Sequence, residues 1–338
     1  MGFRMRQSIR IAPGIRLNVS AKSLGISAGV RGAHVSLNSR TGVRTTASLP
    51  GTGLSYTTTH AVHAPASPGR GPGSAPRSLP ASPPPQAPHP GLFAPHWHKE
   101  LFAALEQGRT TGLEPIAVRH PEARATCMML EALSPATGAE GGQRAEQMLG
   151  ELWSTGYDPA SDGFLRTYAP DSTTSIRLTP ILVATLPLSR DAIGLALAEL
   201  IQETGNLDGA IQVVEGVTPS TYAAVSLADL YAEAGRWSDV IALTDGIPNG
   251  DDFCTYLLIQ RGVALRQSGF LDAALDSLKA ALAPRSRMVA LRHLALVERA
   301  LTYRASGKKS LARRDLERVL ADDSQYPGVA DLLSQLAG

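Results

Sequence analysis

The stretch ALAELIQETGNLDGAIQVV, residues 196–214, decides how most of this sequence folds. Apolar residues recur every three or four positions on both sides of a Gly-Asn break, which predicts two helices joined by a tight turn. The arrangement returns three more times: a small residue, a Gly seven residues later, and Ala or Val five residues after that. The register positions are Ala198/Gly205/Ala210, Ala228/Gly235/Val240, Gly262/Gly269/Ala274 and Ala300/Gly307/Ala312. Successive Gly positions lie 30, 34 and 38 residues apart, so the stretch predicts four two-helix units.

A helical pair with a period near 34 residues resembles the tetratricopeptide repeat. The resemblance covers about 130 residues, and a helix over Gly328–Leu336 would cap the array. Departures are Val240 in place of the usual Ala, a short second unit and a long loop at Ala283–Met288. In the family, the first helix of each repeat lines a concave groove that binds a partner. The groove positions carried over to this chain are Glu199, Gln202, Glu203, Tyr222, Asp229, Glu233, Tyr256, Arg266, Gln267, Leu294, Leu301 and Arg304.

This groove would be acidic at one end and basic at the other, with two tyrosines between. Chaperone-binding members of the family clamp a C-terminal carboxylate with Lys, Asn and Arg. Here Ala192 and Ala196 stand where the first pair of that clamp would be, so the sequence argues against a chaperone tail as the partner. The turns Asn206-Leu207-Asp208 and Phe270-Leu271-Asp272 each supply an Asp that we expect to cap the second helix of its unit.

Residues 1–60 alternate apolar and polar side chains between Gly and Pro turn signals, which predicts five or six short antiparallel strands. The runs MGFRMRQS (Met1–Ser8), PGIRLNVS (Pro13–Ser20) and PGTGLSY (Pro50–Tyr56) resemble the bacterial domain of unknown function 4236. Leu24 interrupts the Lys-Ser-Gly run that is usual in that family. The resemblance implies a small Gly-rich β module and no established activity. One face of the module would carry arginines that suit phosphates or an anionic surface. These residues are Arg4, Arg6, Arg10, Arg16 and Arg44.

Residues 61–95 hold eleven of the 24 prolines, with Ser, Ala and Gly between them, and we expect a semi-rigid spacer. Residues 96–190 follow as a helical region with one or two short strands. The pattern predicts helices over His96–Gln107, Pro121–Leu133 and Glu140–Trp153, and strands in Phe164–Ala169 and Ser175–Leu188. His96 and His98 form a close pair without a third ligand at a fitting spacing, so we expect no metal site there.

Composition narrows the class of protein. Residues 1–99 hold eleven Lys and Arg and no Asp or Glu, whereas the net charge of the remainder is −9. The two cysteines, Cys127 and Cys254, are far apart, and we expect buried, reduced thiols. We expect neither a membrane span nor a signal segment, so the default compartment is the cytoplasm. The Walker, G-x-S-x-G, H-E-x-x-H and C-x-x-C patterns are all missing, which argues against an enzyme and against a cofactor.

The sequence therefore predicts a bacterial multi-domain protein with a small all-β N-terminal module, a Pro-rich linker and a mainly α-helical, tetratricopeptide-like solenoid at 191–338. The predicted function is a non-catalytic adaptor that binds a protein or peptide in the solenoid groove, with the β module as a second contact. One alternative is an anion-binding protein that meets nucleic acid or a membrane surface through the arginine face. A third arrangement would dock the basic module on the acidic solenoid and block the groove.

Overall fold

A computed structural model describes residues 89–134 and 138–337, together with the backbone of six strands before residue 61. These strands pair antiparallel in chain order. They are β1 Gln7–Ala12, β2 Ile15–Ser20, β3 Ser23–Val30, β4 Ala33–Asn38, β5 Gly42–Ser48 and β6 Ser55–His60. The side chains of the strands, and the proline-rich residues up to 88, lie outside the described part. The apolar face, the arginine row and the spacer therefore stay predictions.

Contacts divide the described helical chain into two compact units. The smaller contains residues 89–134 and Tyr157–Thr174, and the larger contains the described residues of Thr137–Gly156 and Ser175–Gly338. The first helices in chain order are α1 His96–Glu106, α2 Glu114–Arg119, α3 Arg124–Ala132, α4 Gly138–Thr155 and α5 Gly163–Tyr168. Helix α4 belongs to the larger unit and the other four to the smaller.

The strand predicted within Phe164–Ala169 is wrong, because this segment is helix α5. Asp162 stands at its N-cap, where Oδ1 accepts a hydrogen bond of 3.0 Å from the Leu165 amide. Phe164, Leu165 and Tyr168 are buried, a spacing that lies on one face of a short helix, whereas alternation would have buried Arg166 instead of Leu165. The helix predicted from Pro121 also begins later: a 3-10 turn over Pro121–Ala123 precedes α3.

The larger unit contains α4, a hairpin from Ser175 onward and a run of helix pairs. The hairpin strands are β7 Thr173–Arg177 and β8 Val183–Pro187. The helices that follow are α6 Arg190–Glu203, α7 Leu207–Glu215, α8 Thr221–Glu233, α9 Trp237–Leu243, α10 Asp252–Gln267, α11 Leu271–Leu282, α12 Val289–Ala305, α13 Lys309–Asp322 and α14 Val329–Ala337. The four predicted pairs are α6/α7, α8/α9, α10/α11 and α12/α13, and α14 packs on α13 where the capping helix was predicted.

The register glycines explain the turn within each pair. Gly205, Gly235, Gly269 and Gly307 have φ of 81°, 71°, 84° and 73°. Each follows the end of a first helix, where a left-handed residue terminates the helix and only Gly adopts that conformation without strain. The small residues expected at the helix contacts are buried as well. The helical, tetratricopeptide-like prediction for this region is confirmed.

Helix starts differ from the prediction in detail. The Asn206 side chain, and not Asp208, caps α7, because its Oδ1 accepts from the Gly209 amide at 3.0 Å. Asp208 lies in the first turn of the helix, and Asp272 does so in α11. Carboxylates there still stabilise the helices through the dipole.

The two cysteines lie in different helices, Cys127 in α3 and Cys254 in α10. Cys127 and Cys254 are both free thiols, but only Cys127 is buried, and Cys254 is half-buried. Among the described helices, none combines the length and apolar character that crossing a bilayer requires.

Candidate functional site

The candidate site is the side of α6, α8, α10 and α12 on which the predicted groove residues lie, called here the first-helix face. A chain of hydrogen bonds runs across three of these helices. Gln202 Nε2 on α6 donates to Glu233 Oε2 at 2.7 Å and to Asp229 Oδ2 at 3.4 Å, both on α8. On α10, the Tyr256 hydroxyl donates to Asp229 Oδ1. Four of the predicted residues are thus brought together.

A second polar contact joins α10 to α12. Arg266 Nη2 lies 2.6 Å from Glu298 Oε2, and both side chains are mostly buried. Glu298 was missed by sequence reasoning because its position carries no motif. The one sequence feature that could have indicated the pair is that Glu298 lies 32 residues after Arg266, about one repeat later. At the end of the array, Arg304 Nη1 donates to Gln335 Oε1 of α14 at 2.9 Å.

The β7–β8 hairpin covers part of the first-helix face. The Arg177 backbone lies near the Glu199 carboxylate and the Thr179 side chain lies near the Tyr256 hydroxyl, and each lowers the pKa of the group beside it. Leu178 and Leu182 of the connecting loop are buried in the same core as the helices. Nothing in the local sequence pattern indicated that this loop would pack against α6 and α10.

Exposure separates the predicted groove residues into three groups. Tyr256 is 3% exposed, so its ring is not open to a partner. The half-buried residues are Glu199, Gln202, Tyr222, Asp229, Arg266, Leu294 and Leu301. The exposed residues are Glu203, Glu233, Gln267 and Arg304. The Tyr222 ring meets Phe253 edge to face, with centroids 5.1 Å apart.

Burial shapes the electrostatics of this face. It raises the pKa of Asp229, and the nearby Glu233 adds to the effect, although hydrogen bonds from Tyr256 and Gln202 oppose it. Burial also raises the pKa of Glu199. The positive charge of Arg177 opposes this increase, and the negative charge of Glu203 adds to it. The Tyr256 pKa is well above its ordinary value because the phenol is buried beside Asp229. Two carboxyls of the face are therefore harder to ionise than free ones.

A second polar cluster lies in the smaller unit. His96 Nδ1 is 3.0 Å from Glu100 Oε1, and His120 Nε2 is 3.8 Å from the same oxygen. The sequence reasoning paired His96 with His98, but His98 packs against Phe164 and Tyr168. His120 was missed because it lies 24 residues after His96, beyond a separate helix. The side chains of Arg4, Arg6, Arg10, Arg16 and Arg44 lie outside the described residues, so the arginine face remains a prediction.

Comparison with known families gives two matches. Residues 3–57 match the protein family of unknown function DUF4236. Residues 172–335 match the N-terminal domain of the T7SS, ESX-1 secretion system protein EccA1. A search of the curated proteins finds no match.

A solved structure supports the same fold. The N-terminal domain of the EccA1 ATPase from the ESX-1 secretion system of Mycobacterium tuberculosis is 18% identical, with a TM-score of 0.51, and the match covers 72% of this chain and 88% of that one. MamA AMB-1 is 17% identical (TM-score 0.40, 58% and 98% covered). A thermophilic TPR protein of Thermus thermophilus is 14% identical (TM-score 0.38, 59% and 91% covered). The chain thus joins an N-terminal segment that matches DUF4236 to a tetratricopeptide-like helical region similar to the N-terminal domain of EccA1.

Proposed function

We propose that this protein is a non-catalytic interaction adaptor that binds a protein or peptide segment on the first-helix face. The observation that carries the proposal is the concentration of carboxylates where α6 and α8 end. Glu203 and Glu233 are the last residues of these helices and are exposed, and Glu199 and Asp229 lie beside them. The C-terminal end of a helix adds partial negative charge of its own. The resulting negative surface suits a Lys or Arg of a partner.

The hairpin defines which part of the face is open. It covers the region of Tyr256, so the proposed contact lies at the outer ends of α6 and α8. Tyr222 and Phe253 add a half-buried aromatic edge on the same array, and aromatic side chains are favoured anchors in interfaces. A basic partner segment with one apolar residue matches both features.

The polar groups of this face suit recognition better than proton transfer. The Tyr256 phenol keeps its proton at neutral pH, because burial next to Asp229 raises its pKa and disfavours the phenolate. The Tyr256 hydroxyl donates to Asp229 Oδ1, and its oxygen accepts a hydrogen bond from Gln260 Nε2 at 2.5 Å. The bond to Asp229 joins α10 to α8, and the bond from Gln260 lies within α10 and fixes the Tyr256 ring, so this part of the face is rigid.

The test uses the full chain as bait for a displayed library of random peptides. Peptides selected by the native protein should be enriched in Lys and Arg, and the double variant Glu203→Gln, Glu233→Gln should lose most of that selection. A matched control, Asp208→Asn with Asp272→Asn, removes two carboxylates from second helices and should keep it. Equal selection by both double variants, or peptides without basic residues, would refute the proposed contact.

A second element of the proposal is that residues 1–60 supply an additional basic contact. The charge asymmetry of the chain supports it, since residues 1–99 carry no acidic residue. Two tethered contacts bind more tightly than either alone through effective concentration. The five predicted arginines changed together to Gln should weaken binding of the native partner without changing peptide selection at Glu203 and Glu233. Unaltered partner binding would remove this element and leave the first intact.

A further inference from the structure

We propose that His96, Glu100 and His120 form a binding site for a divalent transition metal ion, with zinc as the best fit. One ligand atom from each residue lies within 4.8 Å of the other two. The Glu100 Oε1 atom is central, 3.0 Å from His96 Nδ1 and 3.8 Å from His120 Nε2. Tetrahedral zinc with bonds of about 2.0–2.2 Å requires ligand atoms roughly 3.4 Å apart, a value between these two separations.

Two helices bring the ligands together. His96 is the first residue of α1, and Glu100 lies one turn later on the same face. His120 follows the last residue of α2 and precedes Pro121, whose ring restricts the backbone before it. The site therefore depends on how α1 and α2 pack, which explains why the spacing of residues along the chain does not reveal it.

The surroundings orient two of the ligands. The second nitrogen of His120, Nδ1, lies 3.8 Å from Glu122 Oε1, just beyond hydrogen-bond distance, so metal binding would have to draw the two groups together. A metal-binding histidine commonly donates its other ring nitrogen to a carboxylate, which fixes the ring and its tautomer. Arg119 contacts both oxygens of Glu100: Nη2 lies 2.9 Å from Oε2, and Nη1 donates to Oε1 at 3.4 Å, so Oε1 is shared between the guanidinium and the histidines. The positive charge of Arg119 lowers the affinity for a cation, but it also holds the carboxylate in position.

The donor set determines which ions fit. Two imidazole nitrogens and one carboxylate oxygen suit zinc, copper, nickel and cobalt, whereas magnesium and calcium prefer oxygen ligands alone. The side chain of His96 is 74% exposed and those of Glu100 and His120 are 20% exposed, so one side of the site faces solvent. A fourth position is thus open to water or to a group of a binding partner, and the ion would cross-link α1 to the end of α2.

The experiment titrates zinc into the full chain, previously stripped of metal, in competition with a chromogenic zinc chelator of micromolar affinity. We expect one competing equivalent in the native protein. His96→Ala, Glu100→Gln and His120→Ala should each weaken binding at least about tenfold, and Glu122→Gln about 10–100-fold as the orienting partner. Cobalt bound to the native protein should give the strong visible absorption of a tetrahedral site, and magnesium should not compete.

The chain offers a matched control. His89 Nδ1 lies 3.6 Å from Glu106 Oε1, an exposed His–Glu pair near the same helix that is not part of the three-ligand cluster. His89→Ala should therefore bind zinc like the native protein. His96→Ala changes the most exposed ligand and should leave the circular dichroism spectrum unchanged, which separates lost ligation from lost folding. No competing zinc in the native protein, or unaltered affinity in the three ligand variants, would overturn the site.

Discussion

Gly262 offers a direct test of how closely the paired helices approach. It lies inside α10, and an added Cβ would come within 2.6 Å of Leu278 Cγ and 2.9 Å of Leu278 Cδ2 on α11. Leu278 is fully buried, so its side chain has no room to move aside. Gly262→Ala therefore forces the two helices apart or drives Leu278 from its rotamer.

The magnitude follows from two opposed effects. Overpacking of a buried site costs about 1–3 kcal/mol. Replacing Gly by Ala within a helix stabilises it by about 1 kcal/mol. The expected result for Gly262→Ala is a free energy of unfolding lowered by about 0–2 kcal/mol. At Gly150, inside α4, an added Cβ would have no atom of the described residues within 4 Å, so Gly150→Ala should show only the gain in helix stability. The two variants should differ by about 1–3 kcal/mol.

Urea unfolding followed by circular dichroism at the helical band measures both variants. Leu278→Ala on its own should cost about 2–5 kcal/mol through the cavity it leaves. In that background Gly262→Ala should become stabilising, because the Leu278 atoms that it meets are gone. If Gly262→Ala stabilises the native protein as much as Gly150→Ala does, the close approach of α10 and α11 is refuted.

Three further predictions concern single side chains. Asp315 is buried and accepts two hydrogen bonds from Arg299, at 2.7 and 2.8 Å. Asp315→Ala should therefore lower the free energy of unfolding, measured by urea titration, by about 3–5 kcal/mol. A loss below about 1 kcal/mol would contradict this prediction. Ser220 accepts from the Ala223 amide at the start of α8, and Ser220→Ala should cost about 1 kcal/mol in the same assay, with no change as the contrary outcome. Burial raises the pKa of Asp229 above its ordinary 3.8, so the folded state holds this proton more tightly than the unfolded state. The stability of the native protein relative to Asp229→Asn should therefore rise as the pH falls from neutral towards 3.8, and a flat difference across urea titrations at these pH values would refute the burial effect.

The repeat region was predictable because its signals are local. A Gly at positive φ after each first helix and a small residue at each helix contact are required by backbone geometry, so they appear at the same spacing of seven and five residues within every unit. The segment Phe164–Ala169 misled the same reasoning, since six residues contain too little pattern to separate a helix from a strand. Helix α2 was also missed, because six residues that begin Glu114-Pro115 show no clear period.

The candidate site was predictable only in part. The helical register placed Gln202, Asp229 and Glu233 on one face, and the structure shows them hydrogen-bonded to one another. Whether a groove residue is open to a partner depends on what packs above it, and Tyr256 is covered by a hairpin from outside the repeats.

The sequence by itself determined the repeat architecture, the turn positions and the division of charge along the chain, because each follows from composition or from neighbours within one turn. Only the tertiary structure decided which polar groups meet. Gln202 donates a hydrogen bond to Glu233, 31 residues later, and His96 lies beside His120, which follows a separate helix. Such contacts depend on helix packing angles and loop paths, which many side chains set together and no local pattern records.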